Sequence, residues 1–151
     1  MTIAVELETG IARPPADVFA ELVAIERFPE WLIASGIVGV ERLDDGPPGP
    51  GSRVRISQRV AGRSTVLDGS ITRLEPDRAL GLHGRDQDGV TIDIEATISP
   101  DETGSRLRWS LRLGLPLRFR MFESMVSPQV RRAVTLDLEA FRRRVEAGTA
   151  D

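Results

Sequence analysis

At 151 residues, with 40% hydrophobic and 28% charged side chains, the chain is long enough for one hydrophobic core and too short for two domains of ordinary size. A net charge of −3 argues against a nucleic-acid surface, which needs a clustered excess of positive charge. With no Cys, no Tyr and a single His, the composition excludes disulfides, thiolate nucleophiles and Cys-ligated metals and leaves little for imidazole sites, so neither a metal nor a cofactor is expected.

All twenty basic residues are Arg, and most fall at outward strand positions where solvation is the expected role. The residues after Met1 lack a basic start followed by an apolar run, because Glu6 and Glu8 interrupt them. The longest mostly apolar stretch, Trp31 to Val40, is far too short to span a bilayer. A soluble cytoplasmic protein without stable membrane insertion is the expectation.

Ile3, Val5, Leu7 and Ile11 share one parity while Glu6 and Glu8 take the other, so the first element reads as a half-buried strand. Pro14 and Pro15 then fix the start of a helix whose first turn holds Asp17 and whose apolar face is Val18, Phe19, Leu22 and Val23. A second short helix is predicted over Pro29 to Ile33, ended by Gly36, and a second strand begins at Ile37. The loop from Gly46 to Gly51, rich in Gly and Pro, joins that strand to the next as a hairpin.

Five more strands follow. Val54, Ile56 and Gln58 alternate with Arg53, Arg55, Ser57 and Arg59; Ser64 to Glu75 makes the next strand, and Leu80 and Leu82 mark a shorter one. The clearest alternations are Val90, Ile92, Ile94, Ala96 and Ile98, then Leu107, Trp109, Leu111 and Leu113, each set opposed by polar residues. From Pro116 to Ala147 the period becomes helical, through Phe122, Val126, Val130, Val134, Leu138, Phe141 and Val145. Ser127-Pro128 predicts a kink or break in that helix.

The fold class is therefore α+β: a seven-stranded antiparallel sheet wrapped around a long C-terminal helix, with two short helices between the first two strands. In this order and spacing the chain resembles the START-like SRPBCC superfamily, a helix-grip fold, and particularly its polyketide-cyclase-like branch. The residues that carry the resemblance are ARPPADVF over 12–19, the turn Phe28-Pro29-Glu30-Trp31, ITRLEP over 71–76, GSRLRW over 104–109 and the helix from Arg131 to Val145. It covers nearly the whole chain, 1–151, as a single ligand-binding domain, and it implies a cavity for a lipid, polyketide or similar apolar molecule without fixing a reaction.

In such a fold the inward strand positions and the inner face of the last helix bound the pocket. The candidate ligand-binding residues are Val54, Ile56, Gln58, Leu82, Ile94, Trp109, Leu111, Phe122, Met125 and Val126, each of which is otherwise ordinary core. Gln58, the polar exception on an apolar stripe, either orients a ligand or satisfies backbone groups, the second being favoured. Asp137 reads as a solvated flank of the helix. Trp31 is expected to close the short-helix corner and Trp109 to neighbour a ligand.

His83 has the opposite parity to Leu80 and Leu82, which places it on the outer face, out of a substrate's reach. Asp93 with Glu95, and Asp44 with Asp45, read as solvated charge rather than as an acid pair or a metal site. No acid and base come together inside, and no catalytic residue is assigned. Residues 115–126 mix Arg with bulky apolar side chains; the resemblance places them at the pocket mouth, where a lid fits, and Met side chains adapt to varied apolar shapes.

The first functional expectation is a binder or carrier of a small hydrophobic or amphipathic molecule. The second is a polyketide or aromatic-compound cyclase or dehydratase, and the third a partner-binding regulatory or assembly module. The sequence leaves the oligomeric state open, a homodimer included.

Overall fold

The computed structural model describes residues 2–60 and 62–148. Seven strands form one antiparallel sheet: β1 (Thr2–Ile11), β2 (Ile37–Arg42), β3 (Arg53–Val60), β4 (Arg63–Glu75), β5 (Ala79–Arg85), β6 (Thr91–Asp101) and β7 (Gly104–Gly114). Their spatial order is β1-β7-β6-β5-β4-β3-β2. β1 and β2, consecutive in the chain, therefore lie at opposite edges. The segment between them crosses from one edge to the other and carries helix α1 (Pro15–Val23) and a short 3₁₀ helix, Ile25–Glu30.

The parities predicted from sequence hold. Ile3, Val5, Val54, Leu82, Ala96, Ile98, Leu107 and Trp109 all turn to one core, where they meet Val134, Leu138, Phe141 and Val145 from helix α2 (Glu123–Glu146). Bulges in β2 between Ile37 and Gly39, and in β4 between Ile71 and Arg73, each bend their strand and so curve the sheet around that helix.

Two local predictions are corrected. The second short helix occupies Ile25–Glu30 rather than Pro29 to Ile33. Pro29 sits in its last turn, where Trp31 and Leu32 both donate backbone N–H groups to Phe28 O at 3.1 and 2.7 Å. The break in the C-terminal helix does not fall at Ser127-Pro128 either: α2 runs unbroken through Pro128, and the change comes where a 3₁₀ helix, Leu117–Phe122, passes into it. Ser124 and Pro128 are both exposed, so water reaches the Ser124 carbonyl that the missing proline N–H leaves over.

Helix α2 is buried unevenly. Its second half supplies Val134, Asp137, Leu138, Phe141 and Val145 to the interior, whereas no residue from Glu123 to Ala133 is buried. The sheet is thus sealed at one end of the helix and left open beneath the other. The loop that leads into β2 faces the sealed half. Gly36 turns that loop with φ of +76°, and its carbonyl accepts the Arg59 N–H at 2.7 Å; a Cβ there would collide with the Arg59 carbonyl, so glycine is required.

Candidate functional site

An inner cavity of about 80 Å³ lies between the sheet and the buried half of α2. Its aromatic walls are Phe28, Trp31 and Trp109, and its aliphatic walls are Leu32, Ile37, Ile56, Leu82, Ile92, Ile94, Leu111, Val134 and Leu138. Trp31 is the hub of the aromatic group. Its ring lies edge-on to Phe28 and Trp109, with centroids 5.3 and 5.7 Å away, and tilted on Phe141 at 4.7 Å. Three polar residues complete the lining: Ser35, Gln58 and Asp137.

Those three belong to one network. Asp137 is 2% exposed, and its two carboxylate oxygens accept the backbone N–H groups of Ala34 and Ser35 at 2.8 and 2.9 Å. Gln58 Nε2 donates to the Ser35 carbonyl at 3.0 Å. The favoured reading of Gln58, satisfaction of a backbone group, is what the geometry shows. Asp137 corrects its reading as a solvated flank, because the loop of residues 33–36 folds over it. Burial pushes the Asp137 carboxyl above the ordinary aspartate range, against the hydrogen bonds from Ser35 and Ala34 that pull it down.

A second, wider space of about 500 Å³ opens under the exposed half of α2. Leu113 and Leu115 lie on its sheet side, Phe119, Phe122, Val126 and Val130 on its helical side, and Arg63 and Asp86 also line it. Gln58 and Ile92 line both spaces, so groove and cavity are neighbours with those two side chains between them. Leu117, Met121 and Met125 are more than two-thirds exposed along the same helical segment.

Of the sequence-predicted residues, Ile56, Gln58, Leu82, Ile94, Trp109 and Leu111 line the inner cavity. Phe122 and Val126 line the outer groove. Val54 is fully buried core and lines neither space, and Met125 points to solvent. The sequence-predicted set omits the wall residues Phe28, Leu32, Ile37, Ile92, Val134 and Leu138, and the polar wall residues Ser35 and Asp137. Ile92 is visible as an inward strand position; Asp137 has no local signal, since its partners lie 102 and 103 residues away.

His83, Asp93 and Glu95 stay outside both spaces. His83 Nδ1 lies 2.6 Å from Asp93 Oδ1 on the outer face of β5 and β6. Arg73 binds Glu75 and, at 3.1 Å, Glu95 on the same exposed face. Replacement of His83 with alanine is therefore expected to leave ligand affinity within about twofold and stability within about 0.5 kcal/mol; a large loss of affinity with the fold intact would bring the outer face into the site. Among the described residues no cluster of His, Asp and Glu could hold a metal ion.

The family model for polyketide cyclase / dehydrase and lipid transport matches residues 2–146. The chain belongs to that family. Solved structures share its fold: the ZhuI aromatase/cyclase from Streptomyces sp. R1128 has 17% identity and a TM-score of 0.78, with 99% of this chain and 98% of that one covered. A protein of Thermus thermophilus has 16% identity and a TM-score of 0.76, with 99% of each chain covered. A START superfamily protein from Mycobacterium smegmatis has 17% identity and a TM-score of 0.73, covering 98% of this chain and 99% of that one. No curated protein matches the sequence. Among the described residues no helix is long and apolar enough to cross a membrane.

Proposed function

We propose that this domain binds and carries a small hydrophobic or amphipathic molecule, with one end in the inner cavity and the rest in the outer groove. The observation that carries this reading is that two apolar spaces lie side by side, with Gln58 and Ile92 in the walls of both. Size supports the division. A cavity of about 150 Å³ accommodates benzene, so a space of about 80 Å³ accepts only the end of a larger molecule unless the walls move. The segment from Leu117 to Val126 is the part we assign to that movement, because it carries exposed apolar side chains and no buried residue.

Burial of an apolar ligand against these walls contributes about 25 cal/mol per Å² before ordering costs. Native mass spectrometry on protein purified gently from its host tests the reading directly. A discrete adduct lost on denaturation is expected. Bare protein that also fails to take up apolar ligands from solution would sink it. Tryptophan emission should report the same event, since both tryptophans are in the wall. Trp109→Phe is expected to diminish the ligand-induced change, and an undiminished change would remove Trp109 from ligand contact.

A second reading is an enzyme that folds a polyketide or aromatic precursor into a reactive shape, a cyclase or dehydratase. Asp137 favours it, because a carboxyl raised by burial inside a cavity has the chemistry of a proton acceptor. Product formation from such precursors, abolished in Asp137→Asn, would replace the carrier reading with this one.

A further inference from the structure

We propose that the inner cavity selects a ligand whose buried end carries a hydroxyl group, an alcohol or phenol O–H that donates to the Asp137 carboxylate. The proposal rests on the binding reading above and names the chemistry that the site takes.

The polar lining decides it. Around the cavity Ser35, Gln58 and Asp137 are polar and already partly engaged, and Trp31 adds a buried indole N–H that has no partner among the described residues. The Ser35 carbonyl receives Gln58 Nε2, and the Ser35 N–H is spent on Asp137. Gln58 keeps its amide oxygen and a second N–H, and Asp137 differs from it in being an acidic side chain whose remaining capacity is for a donor alone. An ionised carboxylate offers roughly four lone-pair sites and no donor. The Ala34 and Ser35 backbone N–H groups take one site on each oxygen, and the Ser35 side chain adds a further bond. What remains is acceptor capacity for about one donor, facing an otherwise apolar space.

The alternatives fit less well. A hydrocarbon end displaces water from that acceptor and leaves its capacity unfilled, which is costly for a charged group. A carbonyl end is an acceptor that the Trp31 N–H suits, but it brings no donor for Asp137, whereas a hydroxyl oxygen both donates and accepts. A carboxylate end adds a second negative charge beside the first, and among the described residues no cationic side chain lines the cavity to offset it. An ammonium end would pair with Asp137, but it carries three donors, and those left over would face Trp, Leu and Ile walls. One O–H matches both the number and the sign of what the site offers.

Four probes on a common ring separate these cases: naphthol, methylnaphthalene, naphthoate and naphthylmethylammonium, titrated near neutral pH by calorimetry against the unaltered protein. Naphthol is expected to bind tightest, roughly tenfold or more over methylnaphthalene, as a hydrogen bond to a charged group warrants. Naphthoate is expected to bind weakest. In Asp137→Asn, checked for folding by circular dichroism, the naphthol advantage should shrink severalfold and the discrimination against naphthoate should relax. Methylnaphthalene binding as tightly as naphthol, or naphthoate or the ammonium binding tightest, overturns the hydroxyl assignment while leaving the binding reading intact. Binding of none of the four overturns both. The comparison on the unaltered protein decides the matter even if the variant does not fold.

Discussion

Asp137→Ala is expected to lower the free energy of unfolding by about 2–3 kcal/mol, because it removes the acceptor for two partly buried backbone N–H groups at once. The loss is not confined to the helix. Ala34 and Ser35 belong to the loop that turns at Gly36, and the same loop presents the Ser35 carbonyl to Gln58 between cavity and groove. Without the carboxylate the loop loses its tie to α2, and the cavity wall loosens with it. Urea unfolding of the purified variant measures the effect. A cost below about 0.5 kcal/mol would mean that water replaces the carboxylate, and that the loop is held by its own backbone bonds.

The pH dependence of Asp137→Asn distinguishes the charge from the hydrogen bonds. Burial raises the Asp137 carboxyl in the folded protein, so folding favours its protonated form. Ionisation therefore costs stability. That cost is absent below the ordinary aspartate range and becomes complete above the raised folded value. The parent should gain on the Asn variant as pH falls from about 7 to about 4. A gap that widens in the other direction would show that the carboxylate is better solvated in the fold than its burial implies.

Much of this architecture is legible because it rests on local period. Strand parity needs only neighbouring residues, and the alternation of Val90 to Ile98 and of Leu107 to Leu113 places the inner wall on the correct side. Helix limits are less legible. The second short helix is expected to open at Pro29, whereas here Pro29 closes one in which Ile25 and Phe28 are the buried residues. Pro128 suggests a break, yet the helix tolerates it where the freed carbonyl is in water.

The polar part of the site is the least legible, for a physical reason. A buried carboxylate is recognised by its partners, and those of Asp137 come from a loop at the far end of the sequence. Seen alone on its helix, between Leu136 and Leu138, Asp137 has nothing to distinguish it from a solvated flank. Leu136, its neighbour, is 54% exposed while Asp137 is 2% exposed, the reverse of what hydropathy suggests. That inversion follows from the two backbone N–H groups that hold the carboxylate inside while Leu136 faces water.

A second large effect is expected at Arg144, which joins three elements at the sealed end of the fold. Its guanidinium binds Glu21 from α1 and, at 2.6 Å, Glu30 from the Ile25–Glu30 helix. Arg27 lies on the other side of both carboxylates, at 3.7 Å from Glu21 and 3.4 Å from Glu30. Glu21 is 7% exposed and the Arg144 side chain 17%, so neither is a surface charge that water readily serves. Arg144→Met keeps most of the apolar stem but takes away the guanidinium facing a buried carboxylate. A loss of about 2–3 kcal/mol is expected, somewhat under the usual cost of breaking a buried pair, because Arg27 remains.

The coupling is best isolated by a double-mutant cycle with Glu21→Met, since replacing both partners by apolar side chains removes the stranded charge. The double variant should recover much of the loss, giving a coupling of about 2 kcal/mol. The same cycle on Arg55 and Asp68, an exposed pair 3.3 Å apart, should give less than about 0.5 kcal/mol. Acid adds an independent check. Arg144, and then Arg27, hold the Glu30 carboxyl below the ordinary glutamate range, so this stabilisation is present at neutral pH and is lost as pH falls. The gap between parent and Arg144→Met should therefore narrow in acid, opposite in sense to the parent's gain at Asp137. Equal couplings for the two pairs would mean that the Arg144 cluster is solvated like the surface, and that the sealed end is held by Phe141, Val145 and the apolar face of α1 alone.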